Sequence, residues 1–146
     1  YWPRKHSNPW NTDQWPTHDY PMALAEACLS LHALYPDAAY LDAVHRWANI
    51  ARETRPSRSG SWVYAVSYGR CIHFLTRAGL CLGEERFIAD AARLAQESMS
   101  RLVENGRVKG CSDGHVYEAV DGVGMLFLAL MKLETRRELD LYGFGF

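Results

Sequence analysis

The helix-forming segments of this chain are of two kinds, and the two kinds alternate. Residues 22–34, 62–82 and 123–133 are apolar on nearly every face, whereas residues 37–54 and 85–105 carry one apolar stripe and one polar side. A helix that is apolar all round is normally buried all round. Three such helices need other helices to cover them, and the two amphipathic segments supply a cover with one wet face. This alternation predicts an all-α fold.

The first apolar segment holds Met22, Leu24, Ala25, Cys28, Leu29, Leu31 and Leu34, interrupted only by Glu26 and His32. Thr17-His18-Asp19-Tyr20-Pro21 before it reads as a helix start, with cap-type side chains and Pro near the first helical position. Tyr35-Pro36-Asp37 ends it, because Pro disfavours helical geometry in the preceding residue. In the next segment Tyr40, Val44, Trp47 and Ala51 recur at i, i+4, i+7 and i+11. Asp42, His45, Arg46, Asn49 and Arg52 fill the other side. Residues 55–60 are a loop by composition.

Residues 61–83 read as apolar all round again, with apolar residues on every side from Trp62 and Tyr64 to Leu80 and Leu82. The second amphipathic segment sets Phe87, Ala91, Leu94, Ser98 and Leu102 against Arg86, Asp90, Arg93, Glu97 and Arg101. Asn105-Gly106 is expected to close that helix as a cap and turn. The last apolar segment follows a polar run, Ser112 to Asp121, that crowds His115, Tyr117, Glu118 and two Asp into ten residues. This run sits at the N-terminal mouth of a helix, where unpaired N–H groups and the dipole favour anions.

An internal repeat runs beneath the alternation. Pro36-Asp37 matches Gly83-Glu84, and Tyr40-Leu41 matches Phe87-Ile88, at an offset of 47 residues in both cases. A period of this size marks an array of helical hairpins. The chain divides into an aromatic, Pro-rich cover (1–18), helical hairpins (19–134) and a tail (135–146), within one domain or partial toroid.

An inner ring of apolar helices and an outer ring of amphipathic ones resembles the (α/α) toroid of six-hairpin glycosidases and toroid polysaccharide lyases. The Tyr-Glu-Ala-Val-Asp-Gly-Val-Gly run at 117–124 is similar to the polar starts of inner helices in such folds. The resemblance covers residues 19–134 and is architectural, with no diagnostic motif. It departs in size, since such families have about six hairpins and this chain has room for two and a half. It implies a carbohydrate-processing or carbohydrate-binding protein, acting on an oligosaccharide or polysaccharide.

Hairpins return the chain, so successive inner helices are expected to start on one face. That face would gather His18, Asp19 and Tyr20, then Tyr64 and Tyr68, then His115, Tyr117, Glu118 and Asp121, with Trp10 and Trp15 beside them. Glycoside hydrolysis needs two carboxylates several ångströms apart, and Asp19 with Glu118 or Asp121 would supply them. Glu118 and Asp121 share a helix face at i, i+3, and crowding of this kind raises one pKa. Elimination chemistry would instead use Tyr68 and Arg70 with His18 or His115, although a spacing of two turns Tyr68 and Arg70 in different directions. Each residue also has a plainer role: Asp19 caps a helix, Tyr64 and Tyr68 fill a core, and the Trp residues form a lid. A helical-repeat scaffold that binds a protein partner is the rival reading.

The remaining composition narrows partners. A net charge of −1 gives no reason to expect nucleic acid or an anionic membrane, and no apolar run reaches the ~18–20 residues of a membrane span. Cys28, Cys71, Cys81 and Cys111 show no metal-ligand spacing, and neither metal nor cofactor is expected. Three of them fall in apolar helices, where Cys behaves as a small hydrophobe. Gly122-Val-Gly124 is no phosphate loop, lacking the following Lys-Ser/Thr. The chain opens Tyr-Trp-Pro without Met, which implies a processed start or a piece of something longer. Two and a half hairpins would leave an apolar flank, and self-association is expected from it.

Overall fold

The computed structural model describes residues 23–53, 63–112 and 122–137. Among them the chain is all-α apart from one short ribbon: α1 (Ala23–Leu34), α2 (Ala38–Glu53), α3 (Ala65–Leu82), α4 (Glu85–Leu102), β1 (Val103–Glu104), β2 (Arg107–Val108) and α5 (Val123–Thr135). The short links between α1 and α2 and between α3 and α4 make two helical hairpins, as short connections between helices require. Asp37 organises the first link. Its carboxylate accepts the Ala39 N–H at 2.8 Å as an N-cap, while its own N–H donates to His32 Nδ1 at 3.3 Å. At the second link the chain turns through Gly83, and the Glu84 N–H donates to the Gly79 carbonyl at 2.9 Å.

Helix directions follow from the contacts. Tyr68 of α3 meets Glu97 of α4 and Gly79 meets Ile88, so these two run antiparallel. His45 of α2 packs edge-on against Phe87 of α4, and Arg52 further along pairs with Asp90, so α2 and α4 run parallel. Gly122 lies against Val66 and Gly69 against Met125 and Leu126, so α3 and α5 are also parallel and in register. The direction alternates along the chain as a stack of hairpins demands.

The 47-residue offset is a repeat of burial as well as of sequence. Val44, Trp47, Ala48 and Ala51 of α2 are buried, and so are their equivalents Ala91, Leu94, Ala95 and Ser98 of α4. Ala25, Cys28 and Leu29 of α1 correspond in the same way to the buried Ile72, Leu75 and Thr76 of α3.

Of the three apolar helices, only α3 is enclosed along most of its length, with Tyr68, Cys71, Ile72, Phe74, Leu75 and Ala78 inaccessible to solvent. The expectation that 22–34 and 123–133 are buried on every face is corrected. Leu24, Leu31 and Leu34 of α1 and Phe127 and Met131 of α5 are exposed, because among the described residues each helix is covered on one flank only. Cys81 is exposed as well, at the last turn of α3. α3 begins at Ala65, since Val63 and Tyr64 are extended and pair with another segment.

Asn105-Gly106 is not a helix cap. α4 stops at Leu102, and the two residues form the tip of the β1–β2 hairpin, pairing Val103 with Val108 and Glu104 with Arg107. Both have positive φ, 52° and 75°, as a two-residue hairpin turn that matches strand twist requires. Asp90 also departs from the sequence pattern. It is buried at the α2–α4 seam, accepting from Arg52 Nε at 2.8 Å and from Arg93.

The close approach of α3 and α5 depends on a missing side chain. A methyl group at Gly69 would lie 2.7 Å from the Leu126 backbone nitrogen. Gly69→Ala should therefore force the helices apart and lower stability by about 1–3 kcal/mol, the usual cost of overpacking. At Gly124 a methyl group meets nothing within 4 Å, and Gly124→Ala should be neutral or stabilising by up to ~1 kcal/mol. Chemical denaturation of the two variants tests the contrast. Equal midpoints would rule out the tight α3–α5 seam.

Candidate functional site

The polar run at 112–121 is anchored at both ends to the first turn of α3. On its leading side, residues 110–112 run antiparallel to 63–65. The Ala65 N–H donates to the Gly110 carbonyl at 2.8 Å, and the Ser112 N–H donates to the Val63 carbonyl at 2.9 Å. The Val63 N–H donates to Ser112 Oγ at 3.1 Å. Lys109 braces the segment, with Nζ 3.3 Å from the Ser112 carbonyl and 3.5 Å from Glu104. On its trailing side, Gly122 rests on Val66. A methyl group there would lie 2.5 Å from the Val66 backbone nitrogen, and φ of 98° further restricts the position to glycine.

Two helix N-termini thus lie side by side and point the same way. Neither is capped by the side chain of its N-cap residue: Tyr64 makes no such bond, and Gly122 has no side chain to make one. Parallel dipoles and first-turn N–H groups make this end electropositive.

Three of the sequence-predicted site residues fall among the described residues. Tyr64 stands half-buried at the start of α3, bridged to Cys111. Tyr68 is fully buried, and its hydroxyl donates to Glu97 Oε1 at 2.8 Å and accepts from Arg101 Nη1 at 3.3 Å. It faces the outer helix. Burial first, then the bond to Glu97, pushes the phenol well above its ordinary range, so it holds its proton at any physiological pH. Arg70 faces the other way, with Nη1 3.5 Å from Glu26 Oε2. The spacing of two does separate Tyr68 from Arg70. His18, Asp19, Tyr20, Trp10, Trp15, His115, Tyr117, Glu118 and Asp121 lie outside the described residues.

Glu26 carries chemistry that the sequence pattern passes over. It sits in the first turn of α1, and burial pushes its carboxyl upward while Arg70 and Arg77 pull it back. Burial first, and then the same acid, hold the Cys71 thiol high, so Cys71 stays protonated and inert. Its signal was a lone acid in an otherwise apolar helix. By the repeat, position 26 plus 47 is His73, one of several polar residues of α3. Among the described residues no three His, Cys, Asp or Glu side chains gather as a metal site. None of the described helices is long and apolar enough to cross a membrane.

Compared with known protein families, curated proteins and solved structures, the chain matches none.

Two measurements separate structural from chemical roles here. Tyr68→Phe removes the buried hydroxyl with its bonds to Glu97 and Arg101 and should cost about 1–3 kcal/mol, leaving any ligand binding intact. Loss of binding without loss of stability would contradict that assignment. For Glu26 the folded carboxyl titrates above its unfolded value, so the folded state holds the extra proton between the two. Its contribution is therefore full below the ordinary value of 4.5 and is lost as pH rises through the folded value. Stability relative to Glu26→Gln should fall across that window. A flat difference would show that the carboxyl is not held high.

Proposed function

We propose that the end of the molecule where α3 and α5 begin is a carbohydrate site, and that the chain is a toroid-type segment of a carbohydrate-processing or carbohydrate-binding protein. The observation that supports this best is the anchoring of residues 112 and 122 at Val63 and Val66. The nine residues between those anchors include His115, Tyr117, Glu118 and Asp121, a set rich in hydroxyl-binding and stacking groups. Tyr64 stands at the same end and offers an aromatic face, and Asp19 precedes α1. Rings that stack on a sugar beside carboxylates that bind its hydroxyls are the makings of such a site.

In this reading Glu118 and Asp121 or Asp19 form the carboxylate pair, with His115 beside them. His18, Tyr20, Tyr117, Trp10 and Trp15 complete the binding surface. Sugar binding stands on the aromatic and polar set together, and turnover on the carboxylates alone. A second reading, a scaffold that binds a protein partner through its hairpins, is favoured by the exposed leucines of α1.

A panel of neutral and uronate oligosaccharides, screened by binding and by reducing-end release, distinguishes the two. The carbohydrate reading expects at least one ligand, weakened tenfold or more by Tyr64→Ala. It also expects turnover of a susceptible ligand to be abolished by Glu118→Gln with the fold unchanged. Turnover that survives Glu118→Gln removes the catalytic role of Glu118. A panel without any ligand leaves the scaffold reading in place.

A further inference from the structure

The repeat identifies what the exposed flank of α1 is shaped to receive. Adding 47 to Leu24, Ala27 and Leu31 gives Cys71, Phe74 and Ala78. These three residues of α3 lie on one helical stripe at i, i+3 and i+7, and all are inaccessible to solvent. Arg70, next to Cys71, has its Nη1 3.5 Å from Glu26 Oε2 of α1, so this side of α3 is the one turned toward the preceding hairpin. On α1 the equivalent stripe is exposed. Leu24 is 48% exposed and Leu31 39%. At the other edge of the stack α5 presents Phe127 at 48% and Met131 at 50%. The α1 stripe carries no charge and the α5 stripe none before Glu134 in its last turn; depletion of charge marks the centre of an interface.

We propose that copies of the chain associate head to tail, with the exposed flank of α1 in one copy packing against the exposed flank of α5 in the next. The join continues the stack, putting an inner helix where α3 already accepts one from each side. It rests on the hairpin repeat and is independent of the carbohydrate reading. A head-to-tail contact uses two different patches, so every added copy leaves one of each kind open. The products are therefore rings or filaments, not a dimer that stops.

Sedimentation of the full chain over a wide concentration range tests this, with two double variants. Leu24→Glu/Leu31→Glu blocks the α1 flank, and Phe127→Glu/Met131→Glu blocks the α5 flank. All four positions are exposed, so both variants should keep the helical circular dichroism and melting of the parent. Expected are masses beyond a dimer for the parent, monomers for each variant alone, and a 1:1 dimer when the two are mixed, since each retains the flank its partner lost. Met99→Glu, at an exposed apolar position on α4, should leave assembly unchanged. The proposal is overturned by a parent that stays monomeric, as a flank reserved for another segment or protein would make it. It is also overturned if either variant still dimerises alone, if the mixture stays monomeric, or if Met99→Glu dissolves the assembly.

Discussion

The seam between α3 and α5 is a contact of backbones. Gly69 lets the Met125 and Leu126 main chain approach to where a methyl group would otherwise sit, and Gly122 does the same against Val66. Two contacts in register fix the direction of α5, its axial position and the place where it begins. Gly79 plays a similar part on another face of α3, where a methyl group would meet Ile88 Cγ1 at 2.6 Å. The central helix is thus seated against both principal neighbours by absent side chains. Dispersion across such a seam is short-ranged, and a gap of half an ångström already forfeits a good part of it.

The outer seam is built differently. α2 and α4 meet through Arg52, Asp90 and Arg93 and through His45, Glu84 and Arg86, with Phe87 beneath the imidazole and the Arg86 guanidinium over its ring. Most of these groups are partly exposed, where ion pairs contribute little net stability. Their value lies in register. Asp90 is the exception: buried between two guanidiniums, it would leave an uncompensated charge if either were removed, and unpaired buried charges are costly. Apolar and backbone contacts hold the inner helices, and directional polar contacts align the outer ones.

Because the α3–α5 seam sets where α5 starts, it also sets the position of Gly122, which follows the polar run. Ser112 is tied to one end of a single helical turn at Val63, and Gly122 to the other at Val66. Any ligand held there would feel two helix N-termini at once. Tyr68 and Arg70, despite lying one turn away, are spent on α4 and α1 respectively.

The helices and their two kinds were legible in the sequence because periodicity is a local property: the apolar spacing of Tyr40, Val44, Trp47 and Ala51 exists whatever lies opposite. The 47-residue repeat was legible for the same reason, as was the stop at Pro36-Asp37. The candidate site was legible only as a list of residue types at helix starts. The tertiary structure alone decided which apolar helix is central, which flanks stay uncovered, and that Asp90, on a polar face by pattern, is enclosed. It alone tied Ser112 to Val63 and Gly122 to Val66, and turned Asn105-Gly106 into a hairpin tip. An apolar face records how much cover a helix requires; where that cover comes from depends on segments tens of residues away, whose positions no local pattern contains.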